Sequence, residues 1–351
     1  MARQRKGFQQ GEAADRLGVA QATISRAENG LIQPAPETIE RAVRLYEMPP
    51  SFFEQTDPIY GAPVSVHPMW RRKADVTGRD MDCIVSELNI RIMHVRRLLE
   101  AAEIDSEFSV PRLDIDEYGD PERIAALVRA HWKLPPGPIP NLTAAAERAG
   151  IIVVCSTLAG SAVSGVTFAV PGMPPLIILN EDQPADRQRF TLGHEIAHLV
   201  MHHFPSPTME NEANTFAGAL LMPANEIRSH FVGRKVDLAL LASLKPEWKV
   251  AMQSLLMRAR SLGFVSSNQE RYLWQQFSAR RMRLREPPEL DFPAEQPTTL
   301  NSMLKLHIEA LGYELKDLEG LLHMRAEDIS SFYDFDIKGS RSDGPALRLV
   351  R

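Results

Sequence analysis

The densest chemistry in this 351-residue chain lies in Phe190-Thr-Leu-Gly-His194-Glu195-Ile-Ala-His198-Leu-Val-Met201, which contains the pattern HExxH. On a helix, residues four apart share a face, so His194 and His198 can turn both imidazoles toward one ion. Glu195 lies about 100° further round. That places it beside the ion rather than on it, where its carboxylate can take a proton from a water. Two histidines leave zinc short of a protein ligand. His202 continues the same face but sits about 6 Å further along the axis than His198. No glycine lies between His198 and His203 to turn a third imidazole back. The third ligand is therefore expected from another element, and Glu210-Asn-Glu212-Ala-Asn214-Thr-Phe-Ala-Gly218-Ala-Leu-Leu-Met-Pro223 offers it. Glu210 and Asn214 are four apart, so Glu210 can bind the metal while Asn214 holds a histidine or the backbone from behind. Glu212 is the runner-up; its other reading is an exposed acid at a helix start. The donor set suits Zn2+. For an oxyanion, His202, His203 and His230 are the candidate partners.

These side chains need two helices pressed together. Pro184 suits a first helical turn and Pro205 ends the run, which predicts a helix over 184–203. Ser206-Pro207 can start a second over 207–221, where Ala213, Ala217, Gly218 and Ala219 are small enough for close approach. Upstream, Ile151–Cys155, Gly165–Val170 and Leu176–Leu179 read as a small sheet. Leu142 to Ala149 reads as a helix stopped by Gly150. Ile84, Leu88, Ile92, Val95 and Leu99 recur at helical spacing and predict a long helix. The expected class is mainly α with a small β-sheet, α+β.

Phe-Thr-Leu-Gly-His-Glu-Ile-Ala-His, followed by Glu-Asn-Glu-Ala-Asn-Thr-Phe-Ala-Gly-Ala-Leu-Leu-Met-Pro, resembles the ImmA/IrrE family of metallo-endopeptidases. The resemblance covers about residues 140–225. It implies a zincin-like peptidase domain in which His194, His198 and Glu210 hold zinc and Glu195 is catalytic. It also implies a protein substrate, a repressor or an antitoxin. Gly193 departs from the family pattern, where alanine is common. Trp248-Lys-Val-Ala-Met-Gln-Ser-Leu-Leu-Met-Arg-Ala is similar to a helix that often follows this peptidase core.

A second unit lies at the N-terminus. Residues 8–30 give two short helices separated by Gly18-Val19-Ala20, with Ala14, Leu17, Val19 and Ile24 as the apolar pivot. Gln21, Ala22, Ser25 and Arg26 then lie on the outer face of the second helix, where a major groove would meet them. Residues 2–54 resemble the helix-turn-helix of XRE/Cro repressors, which implies double-stranded DNA as a partner. A homodimer is expected, because one such unit reads only a few base pairs. Only six residues precede Gly7, so the first helix of the unit is expected to be truncated.

The expected organisation is a helix-turn-helix domain over 1–57, a linker over 58–80, a peptidase domain over 81–285 (core 140–225) with helical flanks, and an acidic helical module over 286–351. Proline-rich breaks at Pro49-Pro50, 58–68 and Pro287-Pro288 suggest these boundaries. Charge follows the same division: net +3 over 1–26, +6 over 256–285 and −6 from Glu286 to the end. The formal net charge of −5 excludes a uniformly basic nucleic-acid coat but leaves room for a local DNA-reading face. Trp70-Arg71-Arg72-Lys73 could add phosphate contacts. Two cysteines, Cys83 and Cys155, exclude a disulfide scaffold or a multi-cysteine zinc ribbon. No apolar run approaches the roughly 20 residues of a spanning helix. The first residues lack the apolar stretch of a secretory signal, so the chain is expected in the cytoplasm, with no membrane partner. In the acidic module, Leu304, Ile308, Leu311, Leu315 and Leu318 suggest helical packing or dimerisation. The function expected is a zinc-dependent endopeptidase coupled to transcriptional regulation. The alternative is a DNA-binding regulator whose metallopeptidase-like domain acts as a sensor.

Overall fold

A computed structural model describes residues 1–61, 77–158, 163–333 and 346–349. The Trp70–Lys73 stretch lies outside the described residues. The fold is α+β, as its residue patterns predict: many helices around two small sheets. The strands are β1 (Ala102–Asp105), β2 (Ile152–Ser156), β3 (Gly165–Phe168), β4 (Leu176–Asn180) and β5 (Ala346–Leu349). β2 pairs parallel with β4, Ile152 opposite Leu176, and β3 pairs antiparallel with β4, Gly165 opposite Leu179. The order is therefore β2-β4-β3, with β3 at an edge. β1 and β5 pair separately, antiparallel, across most of the chain.

Both faces of the three-stranded sheet are buried. Side chains alternate across a strand, and the two sets go to different cores. Val153, Ile177 and Leu179 pack with Leu192, Ile196 and Phe216 in the core of the HExxH helix, Ala185–Met201, and its neighbours. Ile152, Val154, Val166, Phe168 and Ile178 face the opposite way, against Ile84, Leu88 and Ile92 of the Gly78–Leu98 helix and Leu300 and Leu304 of the Thr299–Glu309 helix. Buried carboxylates fasten these layers. Glu147, on the Leu142–Arg148 helix, accepts from the backbone N–H groups of Thr298 and Thr299 and so caps the Thr299–Glu309 helix. Lys245 joins Asp186 at 2.5 Å and Glu286 at 2.8 Å, all three buried.

The N-terminal unit has helices Gln10–Leu17, Gln21–Glu28 and Pro36–Tyr46. Gly18, at φ +63°, makes the turn between the first two. That left-handed conformation is strained for residues with a Cβ. The first helix is a single turn, Ala2–Arg5. It is held by Arg3, whose guanidinium bonds both oxygens of Glu28 at 2.6 and 2.9 Å. This short helix packs against the Gly78–Leu98 helix, which extends the core of the unit. Met81, Ile84 and Leu88 of the Gly78–Leu98 helix join Ala13, Ala14, Leu17, Ile24 and Tyr46 in one core, and the Cys83 thiol bonds the Gln4 carbonyl at 3.0 Å. From the C-terminal side, Leu318, Leu322 and Ile329 enter the same core. Among the described residues no helix is long and apolar enough to cross a membrane.

Candidate metal centre

The HExxH helix runs from Ala185 and stops at Met201, shortly before Pro205. The second helix, Met209–Leu221, lies against it. They meet where side chains are small: a Cβ built on Gly193 would lie 3.4 Å from the Ala217 Cβ. That is ordinary van der Waals contact, so the family's alanine would also fit there.

The crossing brings His194, His198 and Glu210 together, with one ligand atom of each within 4.8 Å of the others. The His194 and His198 Nε2 atoms are 3.0 Å apart, and the Glu210 carboxylate oxygens lie 3.6 and 3.5 Å from them. Ligands about 2.0–2.1 Å from a tetrahedral ion are separated by about 3.3 Å, so the spacing suits one small cation. The hydrogen bonds suit it too. Asn214 Oδ1 lies 3.1 Å from His194 Nδ1 and accepts its proton. His198 Nδ1 lies 2.9 Å from His202 Nδ1, and His202 Nε2 lies 3.0 Å from Glu212 Oε2. His202 Nε2–H donates to the Glu212 carboxylate, which leaves His202 Nδ1 to accept from the His198 Nδ1–H. Both Nε2 lone pairs then face each other across a carboxylate, and Glu210 Oε1 is buried with no hydrogen-bond partner. Three electron-rich atoms in a pocket of this kind call for a cation.

Protonation follows the surroundings. Burial pushes the His198 imidazole down to about 2, helped by its neighbours His194 and His202. Burial also acts downward on His194, but Glu210 and Glu195 outweigh it and raise the value. His202 is lowered by burial, with Glu212 opposing.

Glu195 is fully buried, and its Oε2 accepts from the Thr167 hydroxyl at 2.6 Å. Thr167 is on β3, two residues from Gly165, so both face the HExxH helix. A Cβ on Gly165 would come within 2.6 Å of the Thr191 Cγ2 and 3.3 Å of the Glu195 Cγ. Thus glycine lets the edge strand approach and threonine holds the carboxylate. Reading the motif alone missed both. The signal was available in Gly165-Val-Thr-Phe, where the two non-apolar residues fall on one face of an otherwise apolar strand.

The three histidines offered as oxyanion partners sit in different surroundings. Both ring nitrogens of His202 are engaged by His198 and Glu212. His230 stacks edge-on against Trp248 beside Glu247, and His203 is exposed. Glu212 is neither an exposed helix-start acid nor a member of the ligand cluster; it stands behind His202. Trp248 does not begin a helix. It ends Leu238–Trp248, Lys249 turns at φ +51°, and the next helix is Met252–Ser261.

Residues 146–260 match the family model of the IrrE N-terminal-like domain, peptidase M78. That span holds Gly165, Thr167, the HExxH residues, Glu210 and their hydrogen-bond partners. Residues 1–52 match a helix-turn-helix domain model. No curated protein matches the chain. The chain therefore joins an IrrE-like peptidase domain to a helix-turn-helix domain, as the motifs imply. On the latter, Gln21, Ala22 and Arg26 are exposed and Ser25 is half-buried, all on the outer helix, while Ile24 is turned inward.

Proposed function

We propose that this protein is a zinc-dependent endopeptidase coupled to transcriptional regulation. In this reading it acts in the cytoplasm on a repressor or antitoxin protein, and its helix-turn-helix, through Gln21, Ala22, Ser25 and Arg26, reads duplex DNA as a homodimer. The observation that carries the catalytic half is the convergence of two imidazole lone pairs and the Glu210 carboxylate next to a second, separately held carboxylate, Glu195. A site serving structure alone has no use for that second carboxylate.

His194, His198 and Glu210 would hold the zinc, which when bound supplies a Lewis acid beside Glu195. The protein's own groups then divide the work. Asn214 fixes the His194 ring, and the Glu212–His202 pair fixes His198. The Thr167 hydroxyl orients the Glu195 carboxylate. Glu195 takes a proton from the attacking water and delivers it to the leaving amine. Its buried setting excludes bulk water from that transfer.

The test is the fate of repressor proteins encoded beside this gene when they are co-expressed with the wild type or with Glu195→Gln. The amide cannot accept the proton, so the variant keeps its metal and fold while cleavage stops. Cleavage by Glu195→Gln at the wild-type rate rules the mechanism out. Wild-type protein that binds zinc but cleaves none of these substrates favours the alternative, a DNA-binding regulator with a sensing domain.

A further inference from the structure

A groove of about 510 Å³ runs between the Met209–Leu221 and Met252–Ser261 helices. It lies along the helix that carries Glu210. Asn214, which bonds His194, forms part of its wall, as does Phe190, one helical turn before His194. Met222 and Met257 extend its apolar surface, with Met257 49 % exposed, while Asn211, Thr215, Gln253, Ser254 and Ser261 add uncharged polar groups. The two charged residues of the lining neutralise each other: Arg258, buried, binds Glu122 at 2.6 Å. Gly218 also faces the groove, from the interior of its helix. A Cβ there would meet nothing within 4 Å. Glycine is the poorest helix former after proline, and no neighbouring atom demands it at this position. Its missing side chain leaves open volume in the groove wall.

We propose that this groove is the specificity pocket of the peptidase and receives one bulky apolar side chain, aliphatic or aromatic, of a substrate residue flanking the scissile bond. The proposal rests on the peptidase reading above. A phenyl ring and two thioethers favour apolar groups, and methionine adapts its shape to them. A charged side chain would lose its hydration there and find Arg258 and Glu122 already paired. Asn214, a residue of the groove wall, also bonds His194 Nδ1, which links the groove to one residue of the ligand cluster. In the peptidase reading this link favours a side chain of the peptide substrate as the occupant.

The full-length zinc-loaded protein is incubated with a peptide mixture from a digested proteome, and the cleaved bonds are read by mass spectrometry. The wild type is expected to prefer Leu, Phe or Met at one fixed position next to the cleaved bond. Gly218→Leu fills the groove. It should shift that preference to Ala or Val and lower kcat/KM for a leucine-bearing peptide roughly 10–100-fold. Met257→Ala removes an exposed side chain and should shift the preference toward larger residues, so the proposal remains testable if Gly218→Leu folds poorly. If the wild type cleaves without side-chain preference, or if both variants keep the wild-type preference, the pocket assignment is overturned and the peptidase reading stands. If the wild type cleaves nothing in the mixture, the peptidase reading fails and the pocket assignment fails with it.

Discussion

Glu212→Ala separates a bystander from a support of the metal centre. Glu212 sits two residues from Glu210, and by sequence position alone it is the weaker claimant to a role. In the fold its carboxylate lies 3.0 Å from His202 Nε2, and His202 Nδ1 lies 2.9 Å from His198 Nδ1. The His202 side chain is only 4 % exposed, so water does not readily replace a lost partner. Removing the carboxylate leaves the His202 ring without the acceptor that fixes its tautomer. His198 then loses a fixed acceptor for its own Nδ1 proton, and its Nε2 lone pair is no longer held toward the cluster. Such supporting hydrogen bonds are typically worth about 10–100-fold in metal affinity, or about 1.4–2.7 kcal/mol. Competition of the apo protein with a chromophoric chelator for zinc at neutral pH measures this directly. Glu212→Ala should fall in that range, Asn214→Ala should match it on the His194 side, and Glu212→Gln, which still offers an oxygen acceptor, should retain most of the affinity. Glu210→Ala removes a ligand and should cost at least about tenfold more than either support. Wild-type affinity in both Glu212→Ala and His202→Ala would refute the relay. Wild-type affinity in Glu210→Ala would move the third ligand elsewhere.

Glu28→Gln should lower the stability of the N-terminal unit at neutral pH by about 1–2 kcal/mol, since it weakens the charged bond to Arg3. Burial acts to raise the Glu28 value, but the bonds from Arg3 and Gln10 outweigh it and hold the carboxyl below its ordinary range. The stabilisation is therefore present above about pH 4.3 and is lost as pH falls through the lowered value; a urea-unfolding gap between wild type and variant that persists at the acid end contradicts this. Lys245→Met strands the Asp186 and Glu286 carboxylates in the core and should cost about 3–5 kcal/mol; a midpoint unchanged in urea would mean that the triad is idle. On DNA, Gln21→Ala should cost roughly 1–3 kcal/mol at one position of each half-site, while Arg26→Ala should weaken all sequences alike if it grips phosphate. Anisotropy titration with the region upstream of the gene checks both, and equal competition by random duplex at about 0.15 M salt would show a unit that does not read sequence.

Within single elements the residues were legible without coordinates. Spacing alone puts His194 and His198 on one face, and likewise Glu210 and Asn214, because the helical period is a local property of the backbone. The three strands of the main sheet and the turn at Gly18 are local in the same sense: apolar runs bounded by glycine and proline, and a backbone conformation that glycine adopts without strain. What the spacing did not reveal is which face meets which. Thr167 reaches Glu195 because the β3–β4 register and the small Gly165 bring an edge strand down onto a helix that begins well downstream. Glu212 supports His198 because of the way two helices cross at Gly193 and Ala217. The single-turn first helix of the N-terminal unit shares one core with Met81, Ile84 and Leu88, and β1 finds β5 from the far end of the chain. Each of these contacts pairs residues whose separation exceeds any helical or strand period. Their energy comes from burying surfaces of complementary shape, and such complementarity exists only once the elements are packed.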